Sequence, residues 1–154
     1  WFDSALGHHP TRSSMLVRLL YVSRAVGPQT TTVTATILAT ARARNRLSGV
    51  GGVLCQGQGL YLQVIEGERS EVNRLYARIV ADRRHRDVEI LRFEEITKRR
   101  FAKWSMARVD LSEHEPMVRM QHSEFDPYSA SAVTAMALLD ALLASGQAID
   151  PPNA

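Results

Sequence analysis

Between Leu16 and Ser23 the chain reads Leu-Val-Arg-Leu-Leu-Tyr-Val-Ser, apolar on both alternating faces. A strand with one apolar face needs one covering layer. A strand with two needs a layer on each side, which places it in the middle of a sheet. The remaining residues therefore have to supply neighbouring strands and cover for both faces.

Gly27-Pro28 ends this first strand, and Thr30, Thr31 and Thr32 offer a helix start. The helix that follows sets Ile37, Ala41 and Asn45 four residues apart on one stripe, flanked by Thr34 and Leu38. An apolar face thus ends on an asparagine. Residues 49–55 read as a strand whose glycines predict close packing against its backbone. Gln56-Gly57-Gln58-Gly59 reads as a hairpin turn and residues 60–65 as the partner strand. Gly67 punctuates, Ser70 is the expected N-cap, and Val72, Leu75, Tyr76, Ile79 and Val80 repeat at helical spacing up to Asp82. Val88 to Ile96 and Trp104 to Val109 complete the order with two more strands.

This order predicts an α+β fold, a ferredoxin-like βαββαβ with one extra strand and two helices over one sheet face. The other face needs cover as well. Residues 131–143 can provide it, through Val133, Met136, Ala137, Leu139, Leu142 and Leu143. Burying four or five such side chains is worth on the order of 10 kcal/mol before conformational entropy is counted. The chain divides into a flexible leader over 1–14, a core domain over 15–110 and a C-terminal helical cap over 111–154. With 154 residues, 45% hydrophobic and 23% charged, it fits one soluble domain without staples.

Cys55 is the single cysteine and lies in an apolar run. An intramolecular disulfide is excluded, and a buried small side chain in a reducing, cytoplasmic setting is expected. No stretch has the apolar length to span a bilayer. The formal charge of +3 is too mild, and the arginines too dispersed, for a nucleic-acid stripe. A nucleic-acid module of the same topology would also need exposed aromatics on its central strands, and Tyr61 is the nearest candidate. Metal-ligand spacing, a nucleophile elbow and a phosphate loop are all absent.

Period two puts Val17, Leu19, Tyr21 and Ser23 on one face of the first strand, and Tyr61, Gln63 and Ile65 on one face of the third. These strands are central neighbours in the predicted topology. Tyr21 and Gln63 then lie side by side beneath the helices, with Asn45 reaching down. A buried polar group without a partner costs roughly 1–3 kcal/mol, so the cluster either closes on itself or binds the polar edge of a ligand. Trp104 and Met106, two apart, share a face of the last strand, with core packing as the plain reading.

These residues resemble the BLUF family of blue-light sensors, which hold FAD non-covalently. The resemblance runs from Leu16 to about Val109. It is carried by Leu20-Tyr21-Val22-Ser23, Arg44-Asn45 with Leu47-Ser48-Gly49, Leu62-Gln63-Val64-Ile65-Glu66-Gly67, Asp82-Arg83-Arg84-His85, and Phe101-Ala102-x-Trp104-Ser105-Met106. It implies a flavin ring between the two helices, lined by Ile37 and Met106. Asn45 would bond the C4 carbonyl and N3 edge, and Gln63 would link N5 to Tyr21; residue 44 varies in the family, and the guanidinium of Arg44 here can donate a charge-assisted bond to the C2 carbonyl. Arg84 and His85 would lie near the flavin edge and the ribityl-phosphate side.

The resemblance further implies that light moves an electron and a proton from Tyr21 through Gln63 and that both return once the Gln63 amide has rotated or tautomerised. Trp104 and Met106 would relay the change to the C-terminal helices. A sensor of this kind has no output enzyme of its own, works as a homo-oligomer and signals to a separate protein effector.

Overall fold

A computed structural model of the chain describes residues 15–102, 105–110, 126–144 and 148–149. The expected leader over 1–14, Trp104, and residues 111–125 of the expected cap lie outside the described residues. The elements are β1 (Leu16–Ala25), α1 (Thr31–Ser48), β2 (Gly51–Gly57), β3 (Leu60–Glu68), α2 (Arg69–Ala81), β4 (His85–Ile96), β5 (Ala107–Asp110), α3 (Ala132–Ala144) and β6 (Ala148–Ile149). The sheet order is β4-β1-β3-β2-β5-β6. β5 joins β2 in parallel, and the remaining neighbours are antiparallel. The ferredoxin-like order thus holds. The expected extra strand is β5, and a short sixth strand pairs with its outer edge.

β1 is central and covered twice, as its two-sided apolarity requires. Its Val17, Leu19 and Tyr21 pack with Leu38 of α1 and with Val72 and Leu75 of α2. Leu20 and Val22 pack on the opposite side with Ala135, Met136, Leu138, Leu139 and Leu142 of α3. The covering face of α3 is rotated from the expected one. Val133 and Ala137 are exposed, while Ala135 and Leu138 are buried. α3 is apolar nearly all round, so its periodicity left the buried side undecided.

Local chemistry sets several boundaries. Thr30 caps α1, its side chain accepting from the Val33 N–H at 3.2 Å. Gly49, expected in a strand, is instead the left-handed C-cap of α1 at φ 71°, a conformation that glycine adopts without a Cβ clash. In β2 a Cβ on Gly52 would stand 2.0 Å from the Val64 carbonyl oxygen, which is the close backbone approach that the glycines predicted.

Ser70 is not the cap of α2. The β1–β3 ladder continues through Gly67 to Glu68, so the chain passes from strand to helix without a loop and Glu68 occupies the cap position. β4 starts at His85, three residues earlier than expected, because its pairing with β1 extends to Ala25. β5 starts at Ala107, which leaves Met106 in the bend before the strand rather than on it.

Candidate functional site

Tyr21 and Gln63 are direct register partners in the β1–β3 ladder. Both point under the helices. The Tyr21 hydroxyl donates to Gln63 Oε1, and Gln63 Nε2 donates to Met106 Sδ at 3.2 Å. A directional chain of three side chains therefore runs across β1, β3 and the residue that leads into β5. All three are buried. Burial pushes the Tyr21 hydroxyl well above the ordinary phenol range, with smaller contributions from Tyr76, Asp82 and Tyr61. At any working pH it is a neutral O–H donor.

Asn45 closes the cluster from α1. Its Nδ2 donates to the Ser105 carbonyl at 2.7 Å, and Arg42 Nε on the same helix donates to the Met106 carbonyl at 3.1 Å. α1 thus holds both residues that precede β5. Asn45 is 1% exposed, yet its Oδ1 accepts no hydrogen bond among the described residues. An orphaned buried acceptor is costly in a folded protein unless a ligand supplies the donor.

Beside these groups lies a cleft between α1 and α2, partly open to solvent. Tyr21, Ile37, Arg44, Asn45, Gln63, Arg84, His85 and Met106 all line it, so the structure gathers every described residue of the expected site. Arg84 is braced at the rim, where its backbone and side-chain N–H groups both reach Asp82 Oδ1 at 2.9 Å. The Arg84 hydrogen bond holds the Asp82 carboxyl below its ordinary range and raises the guanidinium. His85 pairs through Nδ1 with Ser23 Oγ at 2.8 Å and through Nε2 with the Ile79 carbonyl. Both ring nitrogens are engaged within the protein, so His85 offers the cleft its ring.

Two further polar lining residues escaped the sequence reading, Thr40 on α1 and Arg78 on α2, and Asp82, the C-cap of α2, lines the cleft with them. The signal was present, because Leu75, Arg78, Ile79 and Asp82 lie on one helical stripe, and Arg78 interrupts its apolar run with a charge. Tyr61 also lines the cleft and is 5% exposed, which removes the aromatic platform that the nucleic-acid alternative needed.

The lining suits a flat ring with a polar edge. Leu38, Leu54 and Leu75 form apolar walls, and Asn45 and Gln63 put amide groups at the floor. The free Asn45 Oδ1 calls for an N–H donor, which the imide edge of a flavin carries. Arg44 at the wall suits a ring carbonyl, and Arg78 a phosphate. The donor set therefore fits FAD.

Comparison with known proteins agrees. The family model described as sensors of blue-light using FAD matches residues 16–107. A photoactivated adenylate cyclase subunit alpha-like protein of Euglena gracilis is 41% identical over 73 residues, 47% of this chain and 7% of that protein. A dark-state structure of BlrB, a BLUF protein, superposes with a TM-score of 0.72 at 30% identity, covering 86% of this chain and 98% of that one. BlsA in its photo-activated state gives 0.74 at 28%, covering 91% and 99%. The chain spans about a tenth or less of the curated relatives it matches. Among the described residues no helix is long and apolar enough to cross a membrane. With the expected fold, the expected cluster and a family match over most of the described core, the chain belongs to the BLUF family, sensors of blue light that use FAD.

Proposed function

We propose that light sensing in this chain runs through Tyr21 and Gln63 and leaves through Met106. The observation that carries this reading is the directional Tyr21–Gln63–Met106 hydrogen-bond chain on the floor of the cleft. Asn45, Ile37, Arg44, Gln63 and Met106 would hold the ring of FAD, and Arg84, His85 and Arg78 the side toward the ribityl chain and phosphates. When bound, FAD supplies the blue-light absorption and, once excited, an acceptor for an electron.

Tyr21 is the donor. Its hydroxyl proton already lies in a hydrogen bond to Gln63, so electron and proton can leave together and return together, with no net redox change. The Gln63 amide has an acceptor at one end and two donor hydrogens at the other, and rotation or tautomerisation exchanges what it offers its neighbours. In the exchanged state the donation to Met106 Sδ is lost. Arg42 and Asn45 hold Ser105 and Met106 against α1, so the loss is felt at the entrance to β5. Re-making one or two hydrogen bonds is worth roughly 1–3 kcal/mol, enough to bias an equilibrium about 5–150-fold. That suits a change in partner affinity better than unfolding.

The receiver in this reading is a separate effector protein in the cytoplasm, engaged by a homo-oligomer of this chain through its C-terminal cap or sheet edge. Support comes from curated relatives whose names join photoactivation to an adenylate cyclase.

The test is spectroscopic. The FAD-loaded chain should show a reversible red shift of its flavin band under blue light, and Tyr21→Phe should bind FAD and show none. A normal photocycle in Tyr21→Phe refutes the assignment. Arg44→Ala should weaken FAD binding; unchanged affinity and spectrum would make Arg44 a surface charge only. Unequal effector capture in dark and light supports the partner reading, and equal capture removes it.

A further inference from the structure

Glu66 lies on β3 three residues beyond Gln63, on the opposite sheet face, and is 0% exposed. Its Oε2 receives Arg18 Nε at 2.8 Å and a second Arg18 nitrogen at 2.6 Å. Arg18 also bonds Glu94 of β4 at 3.1 Å. The Glu66 carboxylate then reaches out of the sheet. Oε1 accepts the backbone N–H of Arg100 at 3.0 Å and of Phe101 at 2.8 Å. The Arg100 side chain pairs with Asp140 of α3, and the Phe101 ring is buried among the α3 residues. One carboxylate on the strand of Gln63 thus holds Arg100 and Phe101 midway along the β4–β5 connection, and these two residues hold α3.

The far end of the same connection, six residues on, is Met106, which Gln63 and Arg42 hold on the flavin side. A displacement at Met106 meets α3 directly through Ala107 and Val109 of β5, and through the connection where its other end is fixed. With both ends free, the connection would absorb the change. Glu66 supplies the fixed end without touching the flavin cleft, since the lining of the cleft does not include it.

We propose that Glu66 is a positioning residue for signal output: through Arg100 and Phe101 it couples the Met106 end of the β4–β5 connection to α3. This rests on the Tyr21–Gln63 reading above and adds the route by which its signal crosses the sheet.

The experiment uses the full chain loaded with FAD and takes two readings on each sample, the red shift of the flavin band and the light-to-dark ratio of amide hydrogen exchange in α3. The unaltered chain should show the red shift and a ratio of about 5-fold or more. Arg100→Ala cuts an exposed pair and leaves the fold intact; it should keep the red shift and the dark protection of α3 while the ratio falls measurably below that of the unaltered chain. Arg100→Lys keeps the charge and should recover most of the ratio. Glu66→Gln should behave as Arg100→Ala does, and where it fails to fold, the two Arg100 variants decide. Either Arg100→Ala or a folded Glu66→Gln retaining the full ratio overturns the proposal. So does an unaltered chain whose red shift is normal and whose α3 exchange is equal in light and dark. An unaltered chain that binds FAD and shows no red shift overturns the Tyr21–Gln63 reading itself.

Discussion

The two faces of the sheet are built from the same strands by alternate residues, and they end in opposite states. On the α3 face the buried side chains are mostly apolar and interlocked, and the one buried carboxylate among the described residues, Glu66, is surrounded by donors. On the face under α1 and α2 a cleft stays open, and Asn45 Oδ1 has no partner among those residues. The satisfied face is finished by the chain itself. The unsatisfied face is completed by a ligand, because buried polar groups left unpaired destabilise the fold and a complementary ligand removes that cost. The function of this chain follows from that asymmetry.

Chain neighbours on opposite faces give the most direct way to break the comparison. Gln63→Leu removes both the acceptor of Tyr21 and the donor to Met106, and light-dark difference spectra should show complete loss of the red-shifted state in a folded, flavin-binding protein. Leu62→Ala, one residue away on the α3 face, should lower unfolding free energy by about 2–5 kcal/mol in denaturant titration and leave the red shift unchanged. A lost photocycle in Leu62→Ala would show that the faces are not separable.

Asn45→Ala tests the unsatisfied acceptor. Affinity for FAD, measured by fluorescence titration, should fall by about 1–3 kcal/mol, while the stability of the flavin-free chain should fall by less, because the lost bond to the Ser105 carbonyl is offset by removal of the orphaned oxygen. Equal losses in both would identify Asn45 as a structural residue.

The smallest effect lies on the α3 face. Burial pushes the Cys55 thiol up to about 12 from an ordinary value of 9.0. Above pH 9 the unfolded chain releases this proton and the folded chain retains it. The unfolded state then binds fewer protons, and stability falls as pH rises, by at most ~1.4 kcal/mol per pH unit for one group. Cys55→Ala should flatten the decline between pH 9 and 10 in thermal melts, and an unchanged slope would assign it to other groups.

Much of the site was legible because it depends on local periods. Alternation along β1 and β3 placed Tyr21 and Gln63 on helix-facing positions, and a four-residue step placed Asn45 above them. What escaped had physical reasons. Gly49 has no side chain to distinguish a helix cap from a strand, and Ser70 has the chemistry of a cap but lies inside α2, since ladder pairing carries β3 up to the helix. The covering face of α3 is rotated from the expected one, keeping Met136, Leu139 and Leu142 and exchanging Val133 and Ala137 for Ala135 and Leu138, because nearly every position is apolar. Arg78 was passed over because a lone arginine on a helix is ordinarily solvated; only its place in the cleft wall gives it a role.

The sequence by itself determined which residues share a face and that β1 requires cover on both sides, because side-chain direction follows from backbone stereochemistry within a few residues. The tertiary structure decided the rest. Only it could bring Met106 and Ser105 against α1, join Glu66 to Arg18 and Arg100, and leave one oxygen of Asn45 without a partner among the described residues. Those outcomes depend on contacts between residues 34 to 64 positions apart, which no local rule encodes.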